Sequence, residues 1–291
     1  MSAAEALCPH GDILESIVGG LYAGDIVPYL GPAVLDGVCD LDNGQPIPAS
    51  GESLILALND GRPMAPKLMY EFPRAAMNVE LKRGRKAVEA FLTRTYGERR
   101  WSRAPLHDWL ATWKPGYVID INRDGQLQDS YVDVPHLLVR GVARIAGTDY
   151  RYMMHRWDGS AYQQIRQEEA DTSLPVLFKP MGSARPTPQY IASDADYVDY
   201  ITELMGGFAV PSFLKEARKG KRYVLVGVPL GRDTERMVLT DLIYGAAEPK
   251  GWLLDKDPSD KTRRFCARNG LEVVTASVSD LLAAATRVVG P

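Results

Sequence analysis

The chain has 291 residues, 45% hydrophobic and 24% charged, a globular composition that excludes disordered, collagen-like and coiled-coil classes. Its 34 basic and 37 acidic residues leave a formal net charge of -3, so no global field draws it to nucleic acid or an anionic membrane. No apolar run approaches the roughly 18 residues of a spanning helix, and residues 1–5 (MSAAE) show neither region of a secretory leader.

Ile13, Leu14, Ile17, Val18 and Leu21 recur at helical spacing and predict an amphipathic first helix. Gly24-Asp25 breaks that pattern. Ile26–Leu30 then reads as a short buried strand stopping at Gly31-Pro32-Ala33. A strand that ends in a Gly-containing turn is the entrance of many nucleotide-binding units. Residues 36–72 are rich in Gly, Pro, Asp and Asn, with a short helix expected near Ser53–Leu58 and further helices at 74–83, 85–96 and 105–113. Residues 36–115 are thus expected to form a mostly helical insertion over the cleft, within a single domain spanning 1–291.

Tyr117–Ile121 is the next strand and ends in the polar turn Asn122-Arg123-Asp124-Gly125. A weaker strand is expected near 151–157 and a clear one at Val176–Lys179. Ser193 and Asp196 form a capping-box signature ahead of Tyr197, Val198, Ile201 and Leu204, and a short helix is expected over 211–219. Strands at 223–227, 251–255 and 271–275 then alternate with helices at 232–243, 258–268 and 278–287. Asp257-Pro258 reads as the start of the second of these, a capping acid before proline at the first helical position. Strands separated by helices imply parallel βαβ units. The expected fold is α/β: a doubly wound, mainly parallel Rossmann-like sheet with an irregular and helical insertion.

In such a sheet ligands bind beyond the carboxyl ends of the strands, which singles out the turns at Gly31, Asn122, Lys179, Gly227 and Asp255. Each alone has a plain alternative, since tight turns use glycine and Asn or Asp satisfies turn backbone. Their order, however, resembles the sirtuin family, above all its bacterial branch of sirtuin-like NAD-hydrolysing domains. The resemblance runs from about residue 20 to 285. Ile26–Leu35 (IVPYLGPAVL) resembles the first strand and Gly-Ala-Gly phosphate loop, and Val118–Asp124 (VIDINRD) the strand leading to a Thr-x-Asn-x-Asp motif. Leu177–Ser183 (LFKPMGS) resembles the strand and catalytic His-Gly turn, Tyr223–Leu230 (YVLVGVPL) a later nucleotide-contact strand, and Trp252–Asp257 the last one.

The resemblance implies NAD or ADP-ribose as cofactor, held by Gly31, Pro32, Ala33, Asn122, Asp124, Gly227 and Asp255. It implies catalytic roles for Asn122, ordering the nicotinamide-side water or amide, and for Asp124, as a ribose or amide contact. Three departures bear on activity. Met181 stands where the family has its catalytic His and has no titratable group, a loss worth roughly 10²–10⁴ in rate. Pro32 has no N–H to offer a phosphate. Ala33 puts a methyl where the family lets pyrophosphate approach glycine. Cys8, Cys39 and Cys266 stand far apart with no CxxC pair, so no disulfide framework or zinc module is expected, the setting reads as reduced and cytoplasmic, and protein deacylation is the least expected activity.

The reading is therefore a catalytically impaired sirtuin-like protein that binds NAD or ADP-ribose, or serves a protein partner or homo-oligomer. The alternative is an active NAD-consuming enzyme, a glycohydrolase or ADP-ribosyl transferring protein, using Asn122 and a substitute base drawn from residues such as His136 or His155. An unrelated hydrolase or transferase lacks support, because no Ser nucleophile elbow or Walker loop is present. The basic stretch 80–103, with Lys82, Arg83, Arg85, Lys86, Arg94, Arg99, Arg100 and Arg103, reads as a solvated face; an acidic or phosphorylated protein partner is the alternative, and nucleic acid is not expected. Asp40–Gly44 departs from a calcium loop, Asp194, Asp196 and Asp199 fit capping, and no metal is expected. The stretch 188–208, rich in Tyr and ending in Met205-Gly206-Gly207-Phe208, fits core and interface equally.

Overall fold

Alternate residues of a strand face opposite ways, and in this chain that alternation divides the core in two. A computed structural model describes residues 11–146 and 148–289; Cys8 lies outside them. The chain opens with α1 (Gly11–Ala23) and β1 (Ile26–Leu30), followed by α2 (Gly51–Leu58), α3 (Phe72–Arg83), α4 (Arg85–Thr93) and α5 (Pro105–Trp113). Next come β2 (Tyr117–Asp120), the short α6 (Gln126–Asp129), β3 (His136–Gly141), β4 (Tyr152–Trp157), β5 (Tyr162–Ile165) and β6 (Val176–Lys179). A small hairpin of β7 (Gly182–Ser183) and β8 (Gln189–Tyr190) precedes α7 (Asp194–Met205), α8 (Ser212–Ala217) and β9 (Arg222–Val226). The last section is α9 (Asp233–Leu242), β10 (Gly251–Leu254), α10 (Asp260–Arg268), β11 (Leu271–Val274) and α11 (Val278–Val289).

The central sheet has nine strands in the order β11-β10-β9-β1-β2-β6-β3-β4-β5. The first seven run parallel, and β4 and β5 add an antiparallel edge. Ile26 and Leu30 of β1, with Val224 and Val226 of β9, face one apolar cluster, while Val27, Tyr29, Tyr223 and Leu225 face the other. Leu14 of α1, Ala75 of α3, Leu110 of α5 and Leu281 of α11 pack on the first face; Tyr200 of α7, Leu214 of α8, Val238 of α9 and Cys266 of α10 pack on the second. This is the expected doubly wound, mostly parallel α/β arrangement.

The helical spacing of the first segment is realised: Leu14, Ile17, Val18 and Leu21 are all buried. The capping signature at α7 keeps its acidic half. Asp196 accepts the backbone N–H groups of Ala192 and Ser193 at 3.0 and 3.1 Å, whereas the buried Ser193 hydroxyl has no partner. Three expectations need correction. The helix expected over 85–96 stops at Thr93 and continues as a π-helical turn, Arg94–Glu98. The helix expected from Pro258 starts at Asp260, because Ser259 is the cap and its Oγ accepts the Thr262 N–H at 3.1 Å. Asp257 instead belongs to the preceding turn, where its N–H donates to Asp255. Finally, β3 and β5 were not expected; HLLVRG is buried at every position, and a short apolar run gives no periodicity from which to recognise it. Among the described residues no helix is long and apolar enough to cross a membrane.

Candidate functional site

From β1 the chain passes to β2 on one side and returns much later to β9 on the other, so the crevice between β1 and β9 is the topological switch point. The sequence places Gly31 and Gly227 there, and the structure presses them together. Gly31 N donates to Val226 O at 2.9 Å, Ala33 N to Gly227 O at 3.0 Å, and Val34 N to Gly31 O at 3.2 Å. Pro32 has no N–H. Each backbone donor of residues 31–34 is therefore engaged within the protein, where a phosphate loop would leave several pointing at its anion. A Cβ on Gly31 would overlap the Gly227 carbonyl, and one on Gly227, at φ +65°, would fall 2.7 Å from Val34 N. The glycines serve contact between two backbones.

Asn122 closes the next gap. Its Nδ2 donates to Gly31 O at 3.0 Å and to Asp120 Oδ1 at 2.9 Å, and its backbone N–H donates to the same Asp120 oxygen. The side chain thus ties the end of β2 to the end of β1. The other Asp120 oxygen accepts from Lys179 Nζ at 2.6 Å, and both side chains are fully buried. Strand register sets Leu30 beside Asp120 and Lys179 beside Arg140, so the last residues of β2 and β6 and the penultimate residue of β3 form a row of charge under the carboxyl edge. Arg140 is also fully buried and has no carboxylate partner among the described residues. It donates instead to carbonyls of the loop after β7, chiefly Thr187 O at 2.6 Å, and burial lowers its pKa to about 10.

Asp124 lies in the same layer. Its Oδ1 accepts the Gln126 N–H at 2.8 Å, while its buried Oδ2 has no partner. His107 of α5 is a residue that sequence reasoning passed over. It is fully buried, neither ring nitrogen has a partner, and burial lowers its pKa against the opposing pull of the Asp120 and Asp124 carboxylates. The available signal was its position between Leu106 and Leu110 on the buried stripe of a predicted helix.

Met181 departs from this group. Its side chain is 4% exposed and belongs to the second apolar cluster, with Tyr200 and Ile201, whereas Lys179 shares the face of Leu177 and the first cluster. Neither expected substitute base approaches it. His136 is the first residue of β3, at the opposite end of the parallel strands, and is held by Val134 O and the Tyr162 hydroxyl. His155 pairs with Leu138 on the first face, and burial together with the nearby Arg140 charge lowers its pKa to about 4. Asp255 follows β10, one strand beyond β9, and accepts the Asp257 N–H within its own turn.

The insertion reaches over this edge. The Arg123 guanidinium, after β2, donates to Ile191 O at 3.1 Å and lies 5.4 Å from the Phe72 ring centroid. The Arg232 guanidinium, after β9, lies 3.7 Å from the Tyr70 centroid. Residues 70–72 therefore touch the turns on both sides of β1. The structure brings together Gly31, Pro32, Ala33, Gly227 and Asn122, with Asp124 nearby, and leaves Met181 and Asp255 apart. The loop at residues 31–34 does not fit a dinucleotide pyrophosphate, because it has no free backbone N–H to offer one. Among the described residues no three His, Cys, Asp or Glu side chains converge as a metal ion would require.

In comparisons with known proteins, no family model matches the chain and no curated protein matches it. The class rests on architecture alone: an α/β protein with a mostly parallel, Rossmann-like sheet of nine strands.

Proposed function

We propose that this chain is a sirtuin-like protein that does not turn NAD over and that acts by association with a protein partner or a second copy of itself. One observation carries the reading: the Ala33 N–H donates to Gly227 O, and the backbones of residues 31–34 and 227 occupy the switch-point crevice. NAD and ADP-ribose share the pyrophosphate that this loop would have to bind. Met181, packed in the core, adds the absence of a base at the family's catalytic position. The test is incubation of the protein with NAD, following nicotinamide release and thermal stability together. The expected result is no release and no shift. A bound ligand at 100 times its Kd would instead stabilise by about 2.7 kcal/mol.

The second reading, an NAD glycohydrolase or ADP-ribosyl transferring enzyme, has one observation in its favour. Asp124 Oδ2 and both His107 nitrogens are buried under the same edge with no hydrogen-bond partner, as polar groups awaiting a ligand or water would be. It requires residues 31–34 to separate from Gly227. Nicotinamide release that disappears in Asn122→Ala would establish this reading and overturn the first.

A further inference from the structure

The basic stretch of the insertion is not uniformly a solvated face. Arg85, Arg99, Arg100 and Arg103 are ion-paired with carboxylates, whereas among the described residues Arg83 and Arg94 have no such partner. Both line one open cavity of about 860 Å³, formed by residues of the insertion alone. That volume lies within the roughly 300–1,000 Å³ usual for small-molecule sites. Its floor is apolar, with Leu58 from α2, Val79 from α3 and the Phe91 ring from α4, all buried.

A second observation marks the same place. Helix α4 passes into the π-helical turn Arg94–Glu98, and Arg94, Thr95 and Glu98 of that turn all line the cavity. π-Helical turns are rare and concentrate at functional sites, where they redirect side chains that a regular α-helix would space otherwise. Arg94 and Glu98, a guanidinium and a carboxylate, stand at the two ends of this turn and line the same cavity. Asp60 adds a second carboxylate, and neither it nor Glu98 has a cationic partner among the described residues.

We propose that this cavity binds a small phosphorylated metabolite of the nucleoside monophosphate class. Arg83 and Arg94 supply charge-assisted donors to the phosphate. Asp60 and Glu98 accept hydrogen bonds from sugar hydroxyls or an amino group, and Phe91 with its apolar neighbours receives the base. A bare anion satisfies only the first part of this lining, and an acidic peptide would meet repulsion from the two carboxylates. The inference goes beyond the proposed function and does not depend on whether the switch-point crevice is closed.

The test is calorimetric titration of the full chain, at low ionic strength, with AMP, GMP, CMP and UMP, and separately with inorganic phosphate and adenosine. The expected result is saturable binding of at least one nucleotide, with phosphate and nucleoside each weaker by about tenfold or more. The double variant Arg83→Ala/Arg94→Ala, which alters two exposed side chains, should weaken that binding by about tenfold or more with an unchanged melting temperature. Lys86→Ala, in α4 between the two but outside the cavity, should leave it unchanged. No binding by any of the four nucleotides overturns the proposal, as does binding that the double variant leaves intact. Binding lost in Asn122→Ala but kept in the double variant would place the ligand at the crevice and overturn the proposed function as well.

Discussion

The carboxyl edge of the sheet is closed in two places by different means. Between β1 and β9 the seal is backbone against backbone: two glycines in contact and every donor of residues 31–34 engaged. Across β2, β6 and β3 it is buried charge, with Asp120 and Lys179 paired and Arg140 held by carbonyls. A backbone seal depends on the absence of side chains and has nothing to titrate. A charged layer depends on every member keeping its partner, because removing one leaves another desolvated and alone.

Three measurements separate these seals. The largest effect is expected from Lys179→Met, which leaves Asp120 buried without a counter-ion. Its cost by chemical denaturation should be about 3–5 kcal/mol, and Asp120→Asn/Lys179→Met should recover much of it. A single variant as stable as the parent would mean that the pair does not constrain the edge. Gly31→Ala comes next, at about 1–3 kcal/mol, because the new methyl must displace the Gly227 backbone. Gly19→Ala in α1, where a Cβ meets nothing within 4 Å, should instead stabilise by about 0.5–1 kcal/mol. Equal effects at the two positions would remove the case for a backbone seal.

The smallest effect is a pH dependence on the charged side. Burial lowers the pKa of His155 to about 4 and also lowers those of His107 and His136. Each therefore takes up its proton at lower pH when folded than when unfolded, where it does so near pH 6.5. The unfolded chain therefore binds more protons below about pH 6.5, and stability falls as the pH drops from there towards 4. Following melting temperature against pH, His155→Gln should flatten the slope between pH 6.5 and 4, and Gly31→Ala should leave its shape unaltered.

The architecture was legible where local pattern and tertiary role agree. The alternation from β9 to α11 and the buried stripe of α1 follow from hydrophobic spacing alone. The antiparallel edge was not, because β3 is buried on every residue and its six positions carry no alternation. The sequence favours Asp257 over Ser259 because a capping acid before proline is a strong local signal, and it does not show that Asp257 already serves the turn begun by Asp255. At the edge itself the sequence identified Gly31, Asn122 and Gly227 as neighbours in space. It did not show that they bind one another, since the same glycines that admit a phosphate also admit a carbonyl. In the sequence Lys179 reads only as a strand end; its partner, Asp120, lies 59 residues away and is revealed only by register.

The position of β1 has a consequence for how the molecule is made. Ile26 pairs with Arg222, a separation of 222 − 26 = 196 residues, whereas on its other side Tyr29 pairs with Ile119, 119 − 29 = 90 residues away. A ribosome emitting this chain releases β1 196 residues before its second neighbour. Until then an interior strand of the finished sheet has a bare edge, with unpaired backbone and the apolar residues Ile26, Val27 and Leu30 exposed to other nascent chains. Pairing over such distances is slow. Yield in the cell should therefore respond to chaperone supply and synthesis temperature more than the equilibrium stability of the completed protein would suggest.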